Sequence, residues 1–346
     1  MVSDTDARSH PGGDVPGIDQ AATEREGSEQ AEVPAVATTA SIETNSSAHP
    51  RGPLGIIAGG GAMPRLVAEA ARADGREVFF VGIKGEAGEE ITRYPHDWMA
   101  WGQVGRLFSL LKDAGCRDVT IIGTVKRPDL RQVRLDLGAV RSLPIVLSIL
   151  TGGDDAILTT IVGLFERHGL TVRGAHQVAP GLLAPEGLLA GPAPDARALA
   201  DIAKAQDVIS VLGPHDVGQA AVVARQYVLG VEAAEGTDEL LRRCGDLRQW
   251  GNSWLQRKRV GVLVKMPKPG QELRIDMPTI GPQTVRLVAD AGLAGLAVAA
   301  NGVLIAERDE VVRSAEAAGV FVLGRAIVPR SDTQGERDGH EDGVAK

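Results

Sequence analysis

From Leu54 onward, short runs of apolar and β-branched residues alternate with stretches in which apolar side chains recur every three or four positions. That alternation predicts strands and amphipathic helices in turn. Leu54–Ala58 and Val78–Ile83 read as strands flanking a helix over 64–74, and a strand near Met99, a helix over 103–114 and a strand over 119–123 follow. Strands that alternate with helices pair in parallel, with the helices covering the sheet. Residues 52–145 are therefore expected to form a Rossmann-like α/β domain, and a linking segment is predicted to be helical over 131–150. Thr151, Gly152 and Gly153 mark a break, and a second α/β domain is expected over 150–328. Its helices are predicted over 156–168, 196–206, 217–225, 237–244 and 284–291, and its strands over 208–212, 227–231, 260–264, 296–299 and 320–323.

The two ends of the chain differ from this body. Residues 1–51 are rich in Ser, Thr, Ala, Glu and Gly and almost devoid of large apolar side chains, too few to offset chain entropy by burial. They are expected to be a disordered tail, as are residues 329–346. The tails also carry the acidity. Residues 1–51 hold 9 acids and 3 bases and residues 331–346 hold 5 acids and 2 bases, so the body is near neutral at 31 acids against 32 bases. A neutral body with 3% aromatics lacks the clustered positive field of a nucleic-acid reader. Cys116 and Cys244 stand far apart without metal-ligand spacing, which argues against a zinc site or a disulfide framework and for a reducing cytoplasm. No cationic patch followed by an apolar stretch opens the chain, so neither signal peptide nor anchor is expected there. The most apolar internal run, 291–306, is broken by Gly295, Asn301 and Gly302 and falls short of the ~18 residues of a spanning helix.

Chemistry enters at the turn Gly59-Gly60-Gly61-Ala62-Met63-Pro64, which follows a strand and opens a helix. Backbone amides and the helix dipole at such a place receive phosphate. The same residues serve equally as a tight turn with Pro64 at the first helical position. A dinucleotide fingerprint is disfavoured, since Pro64 stands where a third glycine belongs and the second strand ends in Gly82-Ile83-Lys84 without a ribose-binding acid.

Acidic residues recur at the starts of predicted helices: Asp154 with Asp155, Asp216, and Asp238 after Glu235-Gly236-Thr237. Each is a good N-cap by itself. Gathered at one sheet edge, they would offer the hard oxygen ligands Mg²⁺ prefers, with substrate phosphates completing its shell. The complementary charge lies where Lys265, Lys268 and Arg274 leave an apolar strand for a Pro/Gly-rich loop, either a solvated basic loop or a clamp for pyrophosphate. His96, His168, His176 and His215 show no ligand spacing, and no nucleophile elbow or Walker loop occurs.

These residues form an ordered set that resembles the UDP-2,3-diacylglucosamine pyrophosphatases of lipid A synthesis, the LpxI family. The resemblance runs from about Leu54 to about Gly324. Its motifs here are Gly59-Gly60-Gly61 with Pro64, Gly102-Gln103, Lys126-Arg127-Pro128, Gly153-Asp154-Asp155-Ala156 and Asp216-Val217-Gly218-Gln219. They continue with Glu232-Ala233, Glu235-Gly236-Thr237-Asp238, Lys265, Lys268-Pro269, Gln271, Arg274, Asp276 and Pro278-Thr279-Ile280-Gly281. The resemblance implies a uridine-nucleotide-binding first domain, a catalytic and lipid-binding second domain, and a homodimer. It also implies Mg²⁺-dependent hydrolysis to UMP and 2,3-diacylglucosamine 1-phosphate, with water directed at the β-phosphorus.

On this reading Asp238, Lys265 and Arg274 are catalytic, and Asp238 holds the metal, aided by Glu235 or by Asp154 and Asp155. Gly59, Gly60, Gly61, Gln103, Lys126, Arg127, Gln219, Thr237, Lys268, Gln271 and Thr279 bind substrate. The chain departs from the family at Glu272, where Asp is usual, and at Glu239-Leu240. Arg242, Arg243, Arg248, Arg257, Lys258 and Arg259 surround Trp250 and Trp254, which suits an anionic inner-membrane surface on the cytoplasmic side or a surface loop packed on its domain. The rival readings are a UDP-sugar or lipid binder without catalysis and a nicotinamide-dependent oxidoreductase.

Overall fold

The computed structural model describes residues 52–125, 154–247 and 259–326, with only the backbone of 154–156. Both expected tails, the expected helix over 131–150 and the tryptophan segment 248–258 lie outside the described residues.

Leu54–Ala58 (β1) is buried at every position, as a central parallel strand covered on both faces must be. It pairs with Val78–Ile83 (β2) on one side and Asp118–Ile122 (β4) on the other. His96–Met99 (β3) and Thr171–Val172 (β5) complete a parallel sheet in the order β3-β2-β1-β4-β5. Side chains of alternating parity serve different helices. Leu54 and Ile56 share a core with Val67, Ala68 and Ala71 of helix Met63–Ala73 (α1). Ile57, Val81 and Val119 pack with Leu107 and Leu111 of Val104–Asp113 (α2) and with Val162 and Phe165 of Asp154–Arg167 (α3). Strand order reverses between β1 and β4, and an open parallel sheet has its crevice at the C-terminal edge of such a switch point.

One expectation about the domain division changes here. The helix predicted over 156–168 was assigned to the second domain, but α3 packs beneath the first sheet and leads into β5, which pairs with β4. The first sheet is thus completed after residue 170. Short helix Ala175–Val178 (α4) follows.

The second sheet has six strands, in the spatial order 187–190, 321–325, 295–299, 262–265, 220–224 and 227–231. Val262–Lys265 (β9), Gly295–Ala299 (β11) and Phe321–Arg325 (β13) run parallel. Gly187–Ala190 (β6) is antiparallel to β13, while Ala220–Ala224 (β7) and Tyr227–Val231 (β8) form an antiparallel hairpin beside β9. Thr279–Ile280 (β10) and Leu304–Ile305 (β12) make a small parallel pair. Ala196–Leu212 (α5), Gly236–Leu247 (α6), Pro282–Asp290 (α7) and Arg308–Ala318 (α8) supply the helical layers.

Two predicted elements exchange character. Residues 208–212, expected as a strand, are the last turn of α5, whose buried Ala198, Ile202, Ala205 and Ile209 keep helical spacing. Tertiary packing overrides the β-propensity of that short run. Residues 217–225, expected as a helix, contain β7, whose five residues Ala-Ala-Val-Val-Ala are all fully buried. With both faces covered, no polar alternation marks the strand.

The β7–β8 hairpin turns through Arg225 and Gln226, both at positive φ (50° and 66°), the conformation in which glycine or asparagine is usual. Asp201 of α5, 2% exposed, holds it there. Its carboxylate accepts from the backbone N–H of Arg225 (2.8 Å) and of Gln226 (2.7 Å) and from Gln226 Nε2 (3.0 Å). Asp201→Ala leaves those donors unmet and the strained turn unsupported, and is expected to lower unfolding free energy by about 2–3 kcal/mol in urea titration.

Candidate active site

The C-terminal edge of β9 gathers the second domain's polar residues. Lys265 ends β9 and lies in register with Ala220 at the start of β7. Glu232 directly follows β8, and its N–H donates to Ala220 O at 2.8 Å. Gln219, Glu232 and Lys265 thereby become neighbours although the sequence separates them. Glu232 and Lys265 are 6% and 8% exposed. Glu232 Oε2 accepts from the Gln219 N–H at 3.0 Å, and Oε1 accepts from Thr237 Oγ1 at 2.7 Å. Lys265 Nζ donates to Thr237 Oγ1 at 3.0 Å. Asp238 follows in the first turn of α6, exposed, where an acid is favoured by the helix dipole. Burial holds the Lys265 ammonium below the usual lysine range, opposed by the charges of Glu232, Asp276 and Asp238.

The loop after β9 extends this cluster. Lys268 pairs with Asp216, and its backbone N–H donates to Gln271 Oε1 at 2.7 Å. Gln271 Nε2 lies within hydrogen-bonding distance of Gln219 Oε1 (2.9 Å), Asp276 O (2.8 Å) and Asp276 Oδ2 (2.6 Å). With its oxygen turned to Gln271, the Gln219 amide is oriented. Asp216 itself was expected at a helix start, but it sits in a left-handed conformation (φ 57°) before β7. The loop then docks on the first domain: Ile275 packs against the core of α2 and α3, and Met277 is buried with β1 and α1. It therefore spans from Lys265 to the neighbouring domain.

The structure thus brings Gln219, Thr237, Asp238, Lys265, Lys268 and Gln271 together, and leaves other expected residues elsewhere. Arg274 is held by Glu272 through a fork of Nε–Oε1 (2.8 Å) and Nη2–Oε2 (2.7 Å), with Glu166 of α3 at 3.3 Å from Nη1. Glu272 accordingly titrates below the usual carboxylate range. Arg274 reads as a tie between loop and first domain, because a guanidinium between two carboxylates has its charge already answered. Glu235 pairs with Arg243 at 2.9 Å. Thr279 Oγ1 donates to Met277 O at 3.2 Å, and Gln103 Oε1 accepts from Ala100 N–H at 2.8 Å, both local. Lys126 and Arg127 lie outside the described residues, and so do the side chains of Asp154 and Asp155. Of the basic residues near the tryptophans, Arg242 and Arg243 are ion-paired with Glu239 and Glu235.

In the first domain, the glycine turn caps β1 at the switch point. Gly59 N–H donates to Ile122 O (2.9 Å) and Gly60 N–H to Thr124 O (2.8 Å), so these two amides are spent on the chain. A Cβ on Gly59 would lie 2.5 Å from Thr124 O. Close approach of the segment after β4 therefore accounts for Gly59, whereas Gly61 takes a positive φ of 86° that bends the chain into α1. A concavity of about 480 Å³ lined by Pro53, Arg72, Val78 and Tyr94 lies at the opposite, N-terminal edge of this sheet, away from these groups.

Glu232 and Asp276 are the site residues that sequence reasoning left without a role. Glu232 had a usable signal, an acid placed directly after an apolar strand. Asp276 had only its place in the family motif, since its contact with Gln271 depends on that side chain folding back along the loop.

A parallel α/β domain joined to a mixed-sheet α/β domain, with a lysine, hydroxyl and carboxylate chain beside an exposed aspartate at one sheet edge, defines a two-domain α/β protein with a polar site at the end of β9. The chain matches the family models of the LpxI N-terminal domain over residues 53–182 and the LpxI C-terminal domain over residues 185–323. It is 41% identical over 271 residues to the UDP-2,3-diacylglucosamine pyrophosphatase LpxI of Caulobacter vibrioides, covering 78% of this chain and 96% of that protein. The chain belongs to the LpxI family, and so to a family of enzymes. Among the described residues no helix is long and apolar enough to cross a membrane.

Proposed function

We propose that this protein hydrolyses the pyrophosphate of UDP-2,3-diacylglucosamine to UMP and 2,3-diacylglucosamine 1-phosphate, a step of lipid A synthesis. The observation that carries this reading is the meeting of the Glu-Gly-Thr-Asp turn with Lys265, 3.0 Å from Thr237 Oγ1, in a chain that matches the Caulobacter pyrophosphatase across nearly its whole length. A diphosphate ester resists attack because its oxygens repel a nucleophile and its leaving group departs with charge. Lys265 supplies fixed positive charge at a buried sheet edge, where it acts far more strongly than in water, and Lys268 adds its own on parting from Asp216. Gln219 orients the phosphate oxygens, Thr237 and Gln271 hold Lys265 and the Gln219 amide in place, and the first domain takes the uridine end at its switch point.

No cluster of three or more metal-binding side chains exists among the described residues. Mg²⁺ needs none, because it is commonly held by one or two carboxylates with substrate phosphates and water. Asp238, exposed beside the buried network, fits that role. When bound there, the ion would neutralise charge on the bridging and terminal oxygens. Glu235 enters this set only by leaving Arg243. UMP release by the purified protein is expected to require Mg²⁺, to fall to background with excess EDTA, and to return on adding the ion back. Release that is indifferent to EDTA removes the metal from the proposal. Absence of UMP under all conditions favours the binding-protein reading instead.

The substrate's acyl chains belong to a bilayer, so the proposal includes work at the cytoplasmic face of the inner membrane, as a homodimer. Flotation with anionic liposomes is expected to show salt-sensitive binding, and its absence argues against the membrane contact.

A further inference from the structure

Both oxygens of Glu232 are engaged inside the protein. Oε1 accepts from Thr237 Oγ1 and Oε2 from the Gln219 main chain. A threonine hydroxyl has one proton, and with that proton directed at the carboxylate its lone pairs face away, where Lys265 Nζ meets them. The carboxylate therefore fixes the sense of the chain from ammonium to hydroxyl to carboxylate. Burying these two charges is not what a stable sheet edge requires, since apolar residues of similar volume commonly serve at least as well.

We propose that Glu232 is a positioning residue of the site: through Thr237 it sets the place and direction of the Lys265 ammonium, and through the Gln219 main chain it anchors the Gln219–Gln271 amide pair. The inference rests on reading this site as the pyrophosphatase centre. It explains why Thr237 lies in the turn between Glu232 and Asp238. A hydroxyl there joins the buried end of the network to the exposed carboxylate's helix.

The test uses the full chain with Glu232→Gln, Thr237→Val, the double variant and Thr237→Ser. Glu232→Gln and Thr237→Val are each expected to lower kcat about 10- to 100-fold with KM within about threefold. The double variant should fall no more than about threefold below the weaker single, since both cut one chain. Thr237→Ser, which keeps the hydroxyl, should recover most of what Thr237→Val loses. Independently of turnover, acetylation of Lys265 by a water-soluble succinimidyl ester, followed by mass spectrometry, should quicken several-fold in Glu232→Gln and Thr237→Val. Lys268, held by Asp216, serves as the internal reference and should stay unchanged. Wild-type kcat in Glu232→Gln, multiplicative losses in the double variant, or unaltered Lys265 labelling would overturn the proposal. If the unsubstituted protein releases no UMP, the labelling still decides this inference while the functional reading alone fails. If Glu232→Gln does not fold, labelling of Thr237→Val decides it.

Discussion

Asp238→Ala is expected to reduce UMP release by about 10³-fold or more, while the thermal midpoint moves by no more than a few degrees. The two effects separate because of where the side chain lies. Asp238 is exposed in the first turn of α6, so its removal opens no cavity and forfeits only a favourable helix-dipole term of about 0.3–1 kcal/mol. Its carboxylate nevertheless acts on Lys265, as one of three acidic groups whose charge reaches the buried ammonium. An exposed acid next to a buried cation serves chemistry better than packing. Wild-type turnover in Asp238→Ala, measured with circular dichroism to confirm the fold, would remove Asp238 from the mechanism.

Lys265→Met is expected to lower kcat/KM by about 10²- to 10³-fold, with folding retained. Methionine keeps most of the side chain's length and apolar stem and removes a buried charge. Glu232 is not orphaned by the change, because Thr237 and the Gln219 N–H still donate to it. The wild-type pH profile carries a second signature. Burial lowers the Lys265 pKa from its ordinary 10.5, so the ammonium deprotonates earlier than an exposed lysine as pH rises. The folded form therefore binds this proton more weakly than the unfolded chain. Its burial weighs against stability below the folded pKa, and that burden lifts as pH rises toward the unfolded value. Activity should decline on the alkaline side ahead of an ordinary lysine's titration, and Lys265→Arg should displace that limb to higher pH. Full activity in Lys265→Met, measured by UMP release, would show that the charge is not used.

Four of the first sheet's five strands were legible in the sequence because short apolar runs alternate with helices of clear apolar spacing, and β1 and β2 fall on their expected bounds, whereas the two-residue β5 is too short to leave a pattern. The second sheet was less so. β7 is an alanine-rich strand buried on both faces, and its composition favours a helix wherever alternation is missing. The apolar end of α5 shows the converse, because its β-branched run has the composition of a strand while Ile209 continues the buried stripe of Ile202 and Ala205. Neither error is local, since only the opposing sheet or helix decides it.

For the site, residue types at strand ends were readable, and their partners were not. Lys265 and Thr237 stand 28 positions apart, and sequence alone leaves no mark of the hydroxyl that joins them. Arg274 shows the limit most clearly. Its charge suited a phosphate clamp, yet Glu272 two residues earlier and Glu166 in another domain claim it. Even the glycine turn is half legible: the sequence leaves a tight turn and a phosphate site equally open, and the use of the Gly59 and Gly60 amides by Ile122 and Thr124 follows from pairing beyond β4.

The most direct measurement incubates the purified protein with UDP-2,3-diacylglucosamine and Mg²⁺ in water enriched in oxygen-18, then weighs both products by mass spectrometry. The account predicts UMP of ordinary mass and a 2,3-diacylglucosamine 1-phosphate that has gained one heavy oxygen. Intact substrate, or cleavage into any other pair of products, would contradict it.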